Sequence, residues 1–394
     1  MDATSTPRAP RDSAAGPGAH PAGSTPRKPV LVISGINLTE GGPLSVFDDC
    51  LQAASRSLSD RFELVALVHR ASLFSIPNVR YIEFPRSKRS WFLRLYYEYA
   101  GFRRLSRELD ADFWLSIHDL TPNVRARRQA VYCHNPAPFH RLRLHEVRLQ
   151  PVFALFNLFY LFAYRINIAR NAFIVVQQDW LRREFARMFD PARIIVAHPK
   201  VSFGTPAPAI ERQGRLKLVY PSLARVHKNF EVACEAFRLL AAEGVDAELR
   251  LTISGDENRY AGYLRRRFGD VPSIQFLGRK SRAEVFELYR SADALVFPSR
   301  LETWGLPLTE FSALGKPILV SNLPYARETL TGYGPVAFFD PEQPAQLAAL
   351  VQALAENRLV LEGVPYAPPA PPFAEDWTGL LSMMLDGTPT GDRR

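Results

Sequence analysis

A chain of 394 residues, 47% of them hydrophobic, is long enough for two domains with separate cores, which excludes an intrinsically disordered protein. Its 49 Lys and Arg against 40 Asp and Glu give a formal charge of +9, so anionic partners are expected: nucleic acid, a phosphorylated substrate or an acidic membrane surface. Cys50, Cys133 and Cys234 lie far apart without a CxxC pair, which argues against a disulfide framework or a zinc site and leaves them as small buried hydrophobes.

In chain order, residues 1–28 are rich in Pro, Gly, Ala, Ser and Thr, and a disordered tail is expected there. The tail lacks the apolar core of a secretory signal, and Asp2 and the prolines fit an organelle-targeting helix poorly, so a cytoplasmic location is expected. "KPVLVISGI" reads as a buried strand, "NLTEGGPLS" as a polar turn and Leu44 to about Leu58 as a helix, the opening unit of a doubly wound α/β domain. "FELVALV", "VRYIEF", "FWLSIHD", "QAVYCHN" and "AFIVVQQ" continue the strands through a first domain, 29–203, and the Pro/Gly-rich stretch 204–215 reads as a linker.

A second domain, 216–365, begins the same way with the strand "LKLVYPS", the loop "LARVHK" and the helix "NFEVACEAFRLLAAEG", with an Asn cap and a Gly stop. "ELRLTISG", "IQFLG", "ALVFPS" and "PILVSN" are its further strands and "PAQLAALVQALAEN" a helix. "FAEDWTGLLSMML" reads as a helix, 373–386, that packs back on the first domain, and 387–394 as a second disordered tail.

The stretch "ETWGLPLTE" at 302–310 carries a carboxylate at each end. Ala294–Pro298 reads as a strand, Ser299–Leu306 as a loop and Pro307–Leu314 as a helix stopped by Gly315, which turns both carboxylates toward a cleft at the strand ends. The backbone N–H groups of Trp304, Gly305 and Leu306 would point there too. Carboxylates accept from vicinal hydroxyls, so two of them flanking amide donors suit a nucleotide sugar. Alternatively, Glu310 only favours the positive end of its helix and Glu302 is a solvated loop residue.

"PSRLETWGLPLTEFSALGKPILVSNLPYARETL" resembles the donor-site signature of glycosyltransferase family 4, the group 1 glycosyltransferases, with two glutamates separated by seven residues, a helix, a Gly-x-Pro strand start and a later glutamate. The resemblance extends more weakly over residues 29–385. It implies the GT-B fold, two Rossmann-like doubly wound α/β domains facing each other across a cleft, and transfer from a nucleotide-sugar donor with retention of configuration. No bound metal or other cofactor is implied.

The same resemblance implies roles for individual residues. Glu310 would hold the donor ribose, and Glu302, with the amides near Gly305 and Leu306, the donor sugar. Lys228 would neutralise the diphosphate, and Arg225 would stand in for an arginine that many members carry where this chain has Leu223. Arg279 and Lys280 would lie where the backbone meets the base, and Gly41 and Gly42 would form the glycine loop near the donor phosphate. His134 would touch the transferred sugar, with His118 and Asp119 as possible acceptor contacts. A carboxylate pair gripping opposite ends of a donor does not suit a double-displacement glycosidase mechanism, so front-face displacement is expected.

Positive charge gathers in "RSKRSWFLRLYYEYAGFRRLSRELD" and from Arg125 to Arg148, interleaved with Trp91, Phe92, Tyr96 and Phe102. That mixture suits either peripheral contact with an anionic bilayer or a solvated amphipathic helix. "VFALFNLFYLFAY", 152–164, is too short to span a membrane and reads as a buried helix. If membrane contact is real, the acceptor is expected to be a lipid-linked saccharide of surface-polysaccharide assembly; the transferred sugar is expected to be mannose from a GDP donor or a related hexose, with a GDP- or UDP-sugar as the donor. The competing readings are a fold that has lost its chemistry, against which the complete set Glu302, Glu310 and Lys228 argues, a nucleic-acid binder, for which no motif is found, and a sugar-nucleotide epimerase or phosphorylase, for which no acid/base pair or pyridoxal lysine is found.

Overall fold

The computed structural model describes residues 27–199 and 214–387; the expected tails and the 204–215 linker lie almost wholly outside these. In the first half, apolar runs form parallel strands buried on both faces, except at the half-exposed edge strand β3, as expected where helices cover both sides of a sheet. They are β1 (Val30–Ser34), β2 (Glu63–Val68), β3 (Val79–Glu83), β4 (Ala111–Ser116), β5 (Arg128–Cys133), β6 (Phe173–Val176) and β7 (Ile194–Ala197). The second half holds β8 (Leu216–Tyr220), β9 (Ala247–Leu251), β10 (Ile274–Phe276), β11 (Ala294–Phe297), β12 (Ile318–Ser321) and β13 (Val336–Phe339), and the late strand β14 (Phe373–Ala374) returns to the first sheet.

The sheet orders are β14-β7-β6-β5-β4-β1-β2-β3 and β10-β9-β8-β11-β12-β13, with every ladder parallel. In the first sheet the chain winds outward from β1 through β2 to β3 and then crosses to β4 on the other side of β1. In the second it winds from β8 to β10 and crosses to β11. Each sheet therefore has a reversal point, between β1 and β4 and between β8 and β11, where the loops leaving the strand ends diverge and open a crevice.

Four elements depart from the sequence reading. β7 and β13 appear in addition to the expected strands, and the stretch read as one terminal helix divides into β14 and the helix Trp377–Asp386. That helix lies on the first half: Leu380, Leu381 and Met384 join its core, the Trp377 ring stands 5.3 Å from Tyr132, and Arg128 donates to Met384 O at 2.8 Å. The fourth departure is the helix Pro151–Arg165, expected to be buried. Ala154, Asn157, Tyr160, Ala163 and Tyr164 face inward, whereas Val152, Leu155, Leu158 and Phe162 are exposed. A helix apolar all round does not reveal in its sequence which side is covered.

The first reversal point rests on a buried polar knot. Glu98 sits in a π-helical turn, Tyr97–Gly101, and is fully buried. Its Oε1 lies 3.3 Å from His118 Nδ1 and 4.0 Å from Arg94 Nε, while His118 Nε2 meets Ser34 Oγ at 3.1 Å. Burial pushes the Glu98 carboxyl up to about 8 against the opposing pull of Arg94. Burial, reinforced by Arg94, holds His118 well below the usual imidazole range and hence neutral.

In the unfolded chain Glu98 loses its proton near the ordinary carboxyl value of about 4.3, but in the folded chain it keeps it to about pH 8. Between those values the folded state holds the extra proton, so this group makes stability fall as pH rises. Glu98→Gln removes that dependence. Melting curves between about pH 5 and pH 8 should show the variant gaining on the wild type by on the order of 5 °C toward the alkaline end. Parallel pH profiles would show that Glu98 is already ionised in the folded chain.

Candidate active site

The reversal point of the second sheet brings Lys228 and Glu302 together. Lys228 ends a 3-10 turn, Val226–Lys228, that follows β8, and Glu302 lies on the loop after β11. Their side chains are mostly buried and meet at 2.6 Å. Asn229 fixes this approach in a way the sequence did not suggest. It stands before the helix Phe230–Ala242 but does not cap it with its side chain. It adopts a left-handed conformation, φ 56°, and donates to Pro298 O at 3.0 Å and Pro341 O at 2.8 Å, lashing the Lys228 turn to the β11 loop. The Phe230 N–H goes instead to the Tyr260 hydroxyl at 3.1 Å.

Glu310 lies on the helix Leu306–Ser312, which starts from Gly305 at φ 83° with Pro307 in its first turn. Its carboxylate accepts from the Tyr289 hydroxyl at 3.1 Å and from Arg282 at 3.5 Å. Burial raises its pKa, with Tyr289 and then Arg282 acting in the opposite sense. Glu310, Leu306 and Arg282 line a cleft of about 780 Å³ whose other wall is Gly41 and Gly42 at the start of the first helix. The closeness at that wall needs glycine: a Cβ on Gly42 would stand 3.1 Å from the Leu306 side chain, and Gly41 has φ +70°.

A second cleft, about 810 Å³, holds His134, Asp119, Arg94 and Arg225 above an apolar floor of Phe153 and Phe156. Asp119, itself in a left-handed conformation with φ 74°, accepts from the backbone N–H groups of His134 at 2.7 Å and Asn135 at 2.9 Å and so holds that loop in place. The His134 ring is mostly buried, with Nε2 3.8 Å from Asp119 Oδ2. His118, read as a possible acceptor contact, has no exposed surface and belongs to the buried knot with Glu98 and Ser34.

The expected residues thus fall into three groups. Gly41, Gly42, Leu306 and Glu310 share one cleft, and His134, Asp119 and Arg225 share another. Lys228 and Glu302 form a pair, and the Glu302 side lines a neighbouring hollow with Arg300 and Tyr325. Trp304 is buried, its indole N–H donating to Thr309 at 2.9 Å and its ring 4.6 Å from His198. Arg279 is exposed, and Lys280 reaches Glu284 at 3.4 Å, so neither side chain turns to Glu310.

Two positions near the expected site residues were given no role in the sequence reading. Arg282, rather than Arg279 or Lys280, reaches Glu310; the capping box Ser281–Glu284 was a legible signal that a helix begins there and lifts Arg282 onto its first turn. Glu328, the later glutamate of the signature, accepts from the Asp179 N–H at 2.9 Å and meets His198 Nε2 at 3.0 Å, so it joins the two halves beside the cleft. No local pattern marks a contact across that span of sequence.

Residues 207–363 match the family model for "Glycosyl transferases group 1". The D-inositol 3-phosphate glycosyltransferase of Mycolicibacterium gilvum is 28% identical over 158 residues, 36% of this chain and 36% of that protein. The glycogen synthase of Mycobacterium tuberculosis is 25% identical over 146 residues, 37% and 35% respectively. The chain thus matches about a third of the length of these relatives. Among solved structures, a lipopolysaccharide outer core galactosyltransferase, WaaB, superposes with a TM-score of 0.60 at 14% identity, covering 91% of this chain and 95% of that one. A sucrose-phosphate synthase from Thermosynechococcus elongatus gives 0.64 at 12% identity, covering 84% and 90%. Residues 207–363 are thus similar to the group 1 glycosyltransferases, and the two halves together have the GT-B fold.

Proposed function

We propose that the protein is a retaining, metal-independent glycosyltransferase that moves a hexose from a GDP- or UDP-sugar to a saccharide acceptor, lipid-linked, in the assembly of a bacterial surface polysaccharide. The observation that carries this reading is the cleft in which Gly41 and Gly42 of one half face Leu306 and Glu310 of the other. A solved structure of similar fold, HepE from Anabaena, contains UDP-glucose and superposes with a TM-score of 0.56 at 12% identity, over 90% of this chain and 94% of that one, which supports a nucleotide-sugar donor.

In this reading Glu310 holds the ribose hydroxyls, with Arg282 beside it toward the base or the phosphate. Lys228 and Arg225 neutralise the diphosphate, the Gly41–Gly42 backbone approaches it, and Glu302 binds the donor sugar. His134, held by Asp119, touches the transferred hexose. The anomeric C–O bond to the diphosphate breaks as the acceptor oxygen bonds to the same face, and the acceptor's proton passes to the departing phosphate oxygen. Preorganised cations that stabilise that oxygen contribute most where water is excluded, and closure of the halves supplies the exclusion.

A ligand that binds only the folded state raises its melting temperature. Of GDP, UDP, ADP and dTDP, one is expected to give a clear shift with the wild type, and Glu310→Ala should weaken it about 10- to 100-fold, the loss of hydrogen bonds to a charged group. The absence of a shift with all four would overturn the nucleotide-sugar reading.

Lys228→Ala is expected to slow donor hydrolysis, followed as nucleoside diphosphate release, by roughly 10²–10³. It should also lower the melting temperature, since Glu302 is left buried without its partner. Lys228→Arg should restore the melting temperature more fully than the rate. Hydrolysis at the wild-type rate in Lys228→Ala would remove the lysine from the chemistry.

A further inference from the structure

The helix Pro151–Arg165 has no charged side chain before its last residue, and its two faces meet different surroundings. On the outer face Val152, Leu155, Leu158 and Phe162 are 79%, 69%, 73% and 64% exposed. Beside it the helix Trp91–Tyr96 leaves Phe92 85% and Tyr96 59% exposed. The Trp91 ring stands 5.8 Å from Phe156 and 6.0 Å from Phe159, so the two helices present one continuous apolar plate. Plates of this kind mark contact surfaces rather than ordinary solvent-facing protein.

The charge around the plate decides what it contacts. Segments 84–104 and 141–170, which contain it, have Glu98 and Glu146 as their only acidic residues, and both are buried. Arg89, Arg141, Arg148 and Arg165 are exposed and form no ion pair among the described residues. A second copy of this chain seated on the plate through a two-fold axis would set these arginines against each other. An anionic bilayer satisfies both features at once, with aromatic and aliphatic side chains at the acyl boundary and arginines among the headgroups. At 15 residues the helix is too short to cross a bilayer and fits flat in its interface.

We infer that the exposed faces of Pro151–Arg165 and Trp91–Tyr96 seat the protein on the surface of an anionic lipid bilayer. The inference rests on the lipid-linked acceptor only for its purpose. Val152, Phe153 and Phe156 also line the cleft of His134 and Arg225, so the apolar end of that cleft runs into the plate. An acceptor anchored in the same bilayer reaches the cleft without its lipid entering water.

Flotation of the full chain with phosphatidylcholine vesicles, with and without phosphatidylglycerol, tests this. The wild type is expected to float with the anionic vesicles and to bind neutral ones on the order of tenfold or more weakly. The double variant Leu158→Glu, Phe162→Glu alters only exposed positions and should lose at least about tenfold in binding to anionic vesicles, with its melting temperature and donor hydrolysis unchanged. Wild type that floats with neither vesicle, or a double variant that floats as well as the wild type, overturns the inference. So does a dimer of the free wild type in sedimentation that the same variant disperses, because it identifies the plate as a contact between copies. None of these outcomes bears on donor binding, which the nucleotide thermal shifts read separately.

Discussion

A parallel sheet sends all its strand ends the same way, and where the winding direction reverses, the loops have to part. That constraint, imposed twice, positions the expected site residues of this chain. At the first reversal point the Gly41–Gly42 turn follows β1 and the Asp119–His134 pair follows β4 and β5. At the second, Arg225–Lys228 follows β8 and Glu302–Glu310 follows β11. The halves are then held face to face by specific polar contacts: Glu328 with Asp179 and His198, Gln150 with the backbone of Ala224 at 3.0 Å, and Arg143 with Glu342 at 2.6 Å. Residues with no useful chemistry alone are thereby collected around shared hollows.

The Lys228–Glu302 pair shows how such a site remains stable without its ligand. Two largely buried charges of opposite sign satisfy each other at 2.6 Å, and removing either would leave the other stranded in a poor dielectric. In the proposed reaction an incoming diphosphate brings its own negative charge and a sugar brings hydroxyl donors. Lysine then turns to phosphate as the carboxylate turns to hydroxyls, so each group exchanges one partner for another. In that reading binding leaves no buried charge unpaired, and Asn229, which donates to the backbone carbonyls of Pro298 and Pro341, gives the exchange a fixed frame.

Much of this was legible in the sequence because it is written locally. Strands buried on both faces are continuous apolar runs, and β1, β2, β4, β5, β8 and β11 were readable as such. The proline at 307 marked the start of the Glu310 helix within one residue. What escaped depends on partners far away in sequence. The two-residue β14 exists only because β7 offers an edge, with Phe373 opposite Val196. His118 and His134 each close an apolar run and look alike in sequence, yet one is sealed against Glu98 while the other lines a cleft. Asn229 carries the residue type of a helix cap, but its Nδ2 donates to two tertiary carbonyls, and the orientation this imposes leaves Oδ1 unbonded to the N–H groups of the first turn.

The excess positive charge illustrates the same limit and its resolution. A net +9 names no partner, because charge that is paired, buried or spread evenly has no direction. Folding separates the arginines into classes. Arg94 is drawn inward, donating to His118 O at 3.0 Å and standing near Glu98, where it supports the loop above it. Arg282 is committed to Glu310, and Arg143 and Arg300 to the contacts that join the halves. Among the exposed arginines without an ion pair in the described residues are Arg89, Arg141, Arg148 and Arg165, around a helix whose outer face is bare of charge. Burial of Glu98 and Glu146 is what makes that rim one-signed: the fold hides the acids of these segments and leaves the bases outside. A sequence rich in both arginine and aromatics thus becomes a surface with a polarity, and that polarity lies next to the cleft of His134 and Arg225.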